Sequence, residues 1–81
     1  MNTQDVLGKM QELSGEQFAV GAEEITRETS FEEDLGADSV DLVELVMAME
    51  EEFDIGEVEE DEVSELKTVG DCVNYLVNKM K

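Results

Sequence analysis

An 81-residue chain with 23 acidic and five basic side chains, a net charge of −18 and no histidine is excluded from several classes at once. It lacks the cationic surface that nucleic-acid binding requires, it is repelled by anionic membranes, and it has no imidazole to offer as a general base. At this length residues 1–81 make one domain that buries only roughly 60% of its unfolded surface, and the charge draws it towards basic protein partners.

The spacing of apolar residues predicts a first helix over 4–17, with Thr3 as a possible N-cap. Val6, Leu7, Met10 and Leu13 lie inward, and Phe18 sits at the exit. Gly8 and Gly15 weaken it, each by about 1 kcal/mol relative to alanine. Residues 19–37 read as a long loop anchored by Val20, Ile25, Phe31 and Leu35. The clearest element is a second helix over 39–52, capped by Asp38 with Asp41 three residues on. Leu42, Leu45, Val46, Met49 and Phe53 form its core stripe. Val40, Val43 and Met47 form a second apolar stripe on roughly the opposite side, bordered by Glu44 and Glu51.

Gly56 interrupts the pattern, and residues 59–65 predict a short third helix with Val63 and Leu66 inward. Thr68 and Asp71 have capping-box spacing ahead of a last helix carrying Val69, Cys72, Val73, Leu76, Val77 and Met80 inward. Lys79 and Lys81 face the negative end of its dipole. The fold class is all-α: a four-helix bundle of three longer helices and one short third helix.

From Glu28 to Leu66 there are 17 acids and no base, which leaves six acids against five bases elsewhere. The lone Cys72 falls on an apolar face and reads as a buried, inert thiol. No stretch reaches the length of a membrane span, and no leader pattern opens the chain. A reducing aqueous compartment, most simply a bacterial cytoplasm, is expected.

Ser39 is the residue on which these features converge. A serine with its own chemistry needs a base or a cationic stabiliser, and no basic residue stands between Arg27 and Lys67. By itself Ser39 is an ordinary first-turn residue behind an N-cap. Gly36-Ala37 leave its approach open, however, and the outward stripe framed by carboxylates is an interface pattern. The serine reads as a group acted upon by another enzyme.

The run Asp34-Leu35-Gly36-Ala37-Asp38-Ser39, with Asp41, Val43-Glu44-Leu45-Val46-Met47 and Glu50-Glu51-Glu52-Phe53-Asp54, closely resembles the acyl carrier proteins. The resemblance extends from Gly15 through the last helix. It implies that Ser39 receives 4′-phosphopantetheine from coenzyme A through a phosphopantetheinyl transferase, with Gly36, Ala37 and Asp38 as motif neighbours. It implies a carrier of acyl thioesters in fatty-acid synthesis, without catalytic residues or a metal of its own. Its partners would be the synthases, reductases and transferases of acyl chains, docking through basic surfaces on Asp38, Val40, Asp41, Val43, Glu44, Met47, Glu50 and Glu51. An acyl pocket is implied near Phe31, Leu45, Met49, Val63, Leu66 and Tyr75. The carrier is expected to be monomeric, without stable membrane association.

Two departures stand out. Val40 replaces the leucine that commonly follows the serine, and Ile55-Gly56-Glu57-Val58 lacks the usual proline and is one residue longer. Both leave room for a specialised carrier of polyketide, aminoacyl or lipid-A precursor groups. A purely acidic interaction protein without a prosthetic group is the reading from another class. The acidic run 57–62 lacks the spacing of a calcium loop and reads as a solvated face.

Overall fold

The structure is a computed structural model and describes residues 2–80. Helix α1 covers Thr3–Phe18, α2 covers Ser39–Phe53, α3 covers Glu60–Val63 and α4 covers Val69–Lys79. The helices form a four-helix bundle with three long members and one single-turn member, as expected. Within it α1 lies against both α4 and α2, and α3 touches α2 lightly.

The first N-cap is Asn2, not Thr3: the Asn2 side chain accepts the Asp5 N–H at 2.8 Å, and Thr3 is already helical. Helix α1 ends where Ala19 turns left-handed, and the Val20 N–H returns to the Gly15 carbonyl at 2.9 Å. That return explains Gly15. A Cβ there would stand 2.6 Å from the Val20 carbonyl oxygen, so the glycine is a close-approach residue. Gly8, with nothing within 4 Å of its missing Cβ, has no such role.

The 19–37 segment is irregular except for a 3-10 turn at Ala22–Glu24. Ile25 and Phe31 are its buried anchors, while Val20 and Leu35 are half-buried against the core. Its backbone is spent on the start of α4. The Val69 N–H donates to Thr29 O at 3.0 Å and the Gly70 N–H to Arg27 O at 2.8 Å. The Asp71 N–H donates to the Thr68 hydroxyl at 3.1 Å. First-turn N–H groups have no partner inside their own helix, and here the loop supplies two of the acceptors. Ser30 and Thr68 form an isolated antiparallel bridge beside them.

Leu45, Val46, Met49 and Phe53 of α2 meet Val6 and Met10 of α1 and Val69, Cys72, Val73 and Leu76 of α4 in one core. Leu42, placed in that stripe by periodicity, is only half-buried. Met80, expected inward, is exposed because α4 stops beside it. Lys81 lies outside the described residues. The predicted 59–65 helix is shorter, since only Glu60–Val63 close a helical turn. Leu66 is nonetheless buried and Val63 half-buried. Cys72 is sealed in the core as a free thiol, and burial, then the Asp71 charge, pushes its pKa up to about 12. Across the surface of α1 and α2, Lys9 pairs with Glu52 at 2.8 Å.

Candidate functional site

Ser39 is the first residue of α2 and is exposed. The turn before it is built by three neighbours. Gly36 takes φ +65, a left-handed conformation that strains any side-chain-bearing residue. Ala37 is buried, and its N–H donates to Phe31 O at 2.8 Å. Asp38 closes a capping box: its Oδ1 accepts the Asp41 N–H at 2.9 Å, and Asp41 Oδ2 accepts the Asp38 N–H at 3.2 Å. The helix start is therefore pinned by its flanks, and the serine hydroxyl is left facing outward. No hydrogen bond to another described residue occupies that hydroxyl.

Beside Ser39 lies a groove of about 720 Å³. Leu42 and Val43 form its α2 wall, Phe31 its floor, and Glu60, Val63, Ser64 and Leu66 its far wall. Glu28, Glu32, Glu33 and Asp34 line its acidic side. Of the residues expected at an acyl pocket, Phe31, Val63 and Leu66 meet in this lining. Leu45 and Met49 are closed in the core, and Tyr75 stands apart from the lining. The Tyr75 hydroxyl is buried without a hydrogen-bond partner among the described residues. Burial pushes its pKa up to about 12, followed by the Glu62 carboxylate, which acts on it without reaching hydrogen-bond geometry.

Lys67 also lines the groove. The sequence gap between Arg27 and Lys67 hid this cation, because the fold returns the α3–α4 connection to the loop. The Phe31 N–H donates to Lys67 O at 3.1 Å. A single hydrogen bond and an isolated bridge leave no periodic signal, so nothing in the sequence announces the approach.

On the outer face of α2, starting from the groove wall at Val43, Val40, Val43 and Met47 are exposed by 63%, 51% and 59%. Asp38, Asp41, Glu44, Glu50 and Glu51 share their helix. The carboxylates differ in how free they are. Asp38 and Asp41 serve the cap, Glu44 accepts from Gln17 Nε2 at 3.1 Å, and Glu50 accepts the Val58 N–H at 2.6 Å. No hydrogen bond to Glu51 is formed among the described residues, and it is exposed.

The family described as "Phosphopantetheine attachment site" matches residues 8–76 of the chain. An acyl carrier protein of Clostridium acetobutylicum is 49% identical over 71 residues, covering 88% of this chain and 91% of that one. One from Thermosynechococcus vestitus is 44% identical over 80 residues, covering 99% and 98%. The chain belongs to the acyl carrier protein family. A solved acyl carrier protein from Enterococcus faecalis, 30% identical, superposes with a TM-score of 0.80 over 98% of this chain and 99% of its own. As a member of the family, the chain is a phosphopantetheine-binding carrier. The geometry at Ser39 fits that group. An exposed hydroxyl at a helix N-terminus suits a phosphodiester, because first-turn N–H groups and the dipole favour an anion there. Among the described residues no helix is long and apolar enough to cross a membrane.

Proposed function

We propose that Ser39 carries the phosphopantetheine arm and that the chain, acting as one carrier domain, transports acyl thioesters in fatty-acid biosynthesis. The observation that carries this reading is the position of Ser39. It is exposed at the start of α2, between an apolar-floored groove and an apolar stripe set among carboxylates. When bound, the prosthetic group supplies a terminal thiol that holds the acyl chain as a thioester.

The protein's own residues position and recruit. Asp38 and Asp41 fix the backbone of the helix start through their mutual cap, so Ser39 is held at the exposed first turn. The outward carboxylates of α2 attract basic surfaces of a phosphopantetheinyl transferase and of acyl-chain synthases, reductases and transferases. Electrostatic steering of this kind speeds encounter without requiring slow release. Val40 and Val43 supply the apolar centre of the contact. Val40 offers a shorter side chain than the leucine common at that place. The apolar lining of Phe31, Val63 and Leu66 provides shelter next to the arm. Leu45, Met49 and Tyr75 would take part only if the core parts. Activation of the hydroxyl falls to the transferase, which fits a chain that catalyses nothing itself. We place the monomeric carrier in a bacterial cytoplasm, where the sealed free thiol of Cys72 is in keeping with a reducing compartment.

Intact mass after incubation with coenzyme A and a transferase tests the reading. One phosphopantetheinyl addition is expected on the native chain and none on Ser39→Ala. Addition that persists in Ser39→Ala would overturn it. The acidic-interaction reading makes the opposite demand: Ser39→Ala would leave function intact in cells, while reversing charge at Asp41 and Glu44 abolished it.

A further inference from the structure

We propose that Glu50 is a positioning residue that latches the far wall of the groove, and that a cationic partner group taking its carboxylate releases that wall. Glu50 Oε2 accepts the Val58 N–H at 2.6 Å in a partly buried setting. Among the described residues, no other hydrogen bond ties residues 57–66 to an α2 side chain. Helix α3 is one turn long with no side-chain cap. The connection before it bends through left-handed Asp54 and Gly56. The segment that brings Glu60, Val63, Ser64 and Leu66 to the groove is thus held by the packing of Val58, Val63 and Leu66 and by one charged acceptor on α2.

The other α2 carboxylates do different work. Asp38 and Asp41 bond each other's backbone, and the Glu44 bond to Gln17 joins α2 to α1. Among the described residues, Glu50 is the α2 carboxylate that hydrogen-bonds to the segment carrying the groove wall. A guanidinium or ammonium arriving at Glu50 competes for the oxygen that Val58 uses. A partly buried N–H without its acceptor is unfavourable, and hydrogen bonds to ionised acceptors are the stronger kind. Partner docking and groove opening are therefore linked through one side chain, and the linkage acts in both directions. This coupling rests on α2 being the docking face, as proposed above; the latch itself does not.

Amide hydrogen exchange of the full chain, read by NMR, tests both parts. Glu50→Ala is expected to speed exchange at Val58 by about tenfold or more, with Met10 and Val73 unchanged. Glu50→Gln keeps an acceptor oxygen and is expected to restore most of the protection. Unchanged exchange at Val58 in Glu50→Ala, or equal loss at Val58 and Val73, would overturn the latch. The second arm adds a synthetic amphipathic helix of arginine, leucine and alanine to saturation. Val58 exchange in the native chain should rise towards the Glu50→Ala rate, and Glu50→Ala itself should not respond. Peptide that binds while Val58 stays protected overturns the coupling. Binding indifferent to Asp41→Lys and Glu44→Lys instead removes the docking reading.

Discussion

At the start of α4, three successive first-turn N–H groups find acceptors, two on the loop and one on the Thr68 hydroxyl. At α3, by contrast, one carboxylate and the apolar packing of Val58, Val63 and Leu66 hold the segment. The α4 side is buried and tied by backbone hydrogen bonds. The α2–α3 side is acidic, apolar at its surface and lightly tied. Regions that must admit a ligand or a partner belong to the low-stability end of a fold. A small domain with little stability to spare can keep one side mobile only if the other is closed. Here the closed side contains Cys72, Val69, Val73 and Leu76, all fully buried, while the docking stripe is exposed on α2 and the groove runs from α2 to Lys67 and Thr68 at the edge of the tied side.

The contrast can be broken most severely with alkali. The Cys72 thiol moves from an ordinary 9.0 to about 12 in the fold, so the folded chain holds that proton more tightly than the unfolded one. Its contribution is complete below pH 9 and is lost as pH rises towards 12. Denaturant titrations over that window should show a decline of a few kcal/mol, at roughly 1.4 kcal/mol per pH unit. Cys72→Ala should flatten much of the slope, and Tyr75→Phe should remove a further part. Next in size is Gly15→Ala. Its Cβ meets a backbone oxygen that cannot swing away, and a loss of about 1–3 kcal/mol is expected. Thr68→Ala removes the side-chain acceptor at the start of α4 and should cost about 1 kcal/mol. Gly8→Ala has open space at the same helix and should gain about 0.5–1 kcal/mol. Thermal melts of these three variants would rank them by how closely each touches the tied side. Added salt should produce the smallest change, a modest rise in melting temperature from screening of the acidic side; a curve indifferent to salt would show that repulsion there is already relieved.

The legible part of the fold was the part written in periodicity and in caps. Leu45, Val46, Met49 and Phe53 repeat at helical spacing, and the pairs Asp38–Asp41 and Thr68–Asp71 both form the reciprocal caps their spacing announces. The outward stripe of Val40, Val43 and Met47 followed from the same wheel. What escaped was whatever depended on the chain meeting itself far along its length. Lys67 reaches the groove through one bond to Phe31, Gly15 is required by a carbonyl five residues away, and Asn2 takes over the cap because the helix begins a residue early. The family resemblance placed Glu50 among the docking carboxylates. Only the path of residues 54–58 shows that an N–H arrives at it. The third helix was overextended because an acidic run with good helix formers does not reveal where its single turn stops.

The sealing of Cys72 has a practical consequence once an arm is attached. The chain then presents two sulfhydryls of very different availability, one locked in the core and one at the end of a flexible tether. A thiol-reactive dye added to the native protein would count tethers, and acylation would silence the count. Unfolding would add a second equivalent, giving each sample its own internal standard. The core thus does more than hold the helices together: by withdrawing its own sulfur from reaction, it leaves the cargo-bearing one without a rival on the same molecule.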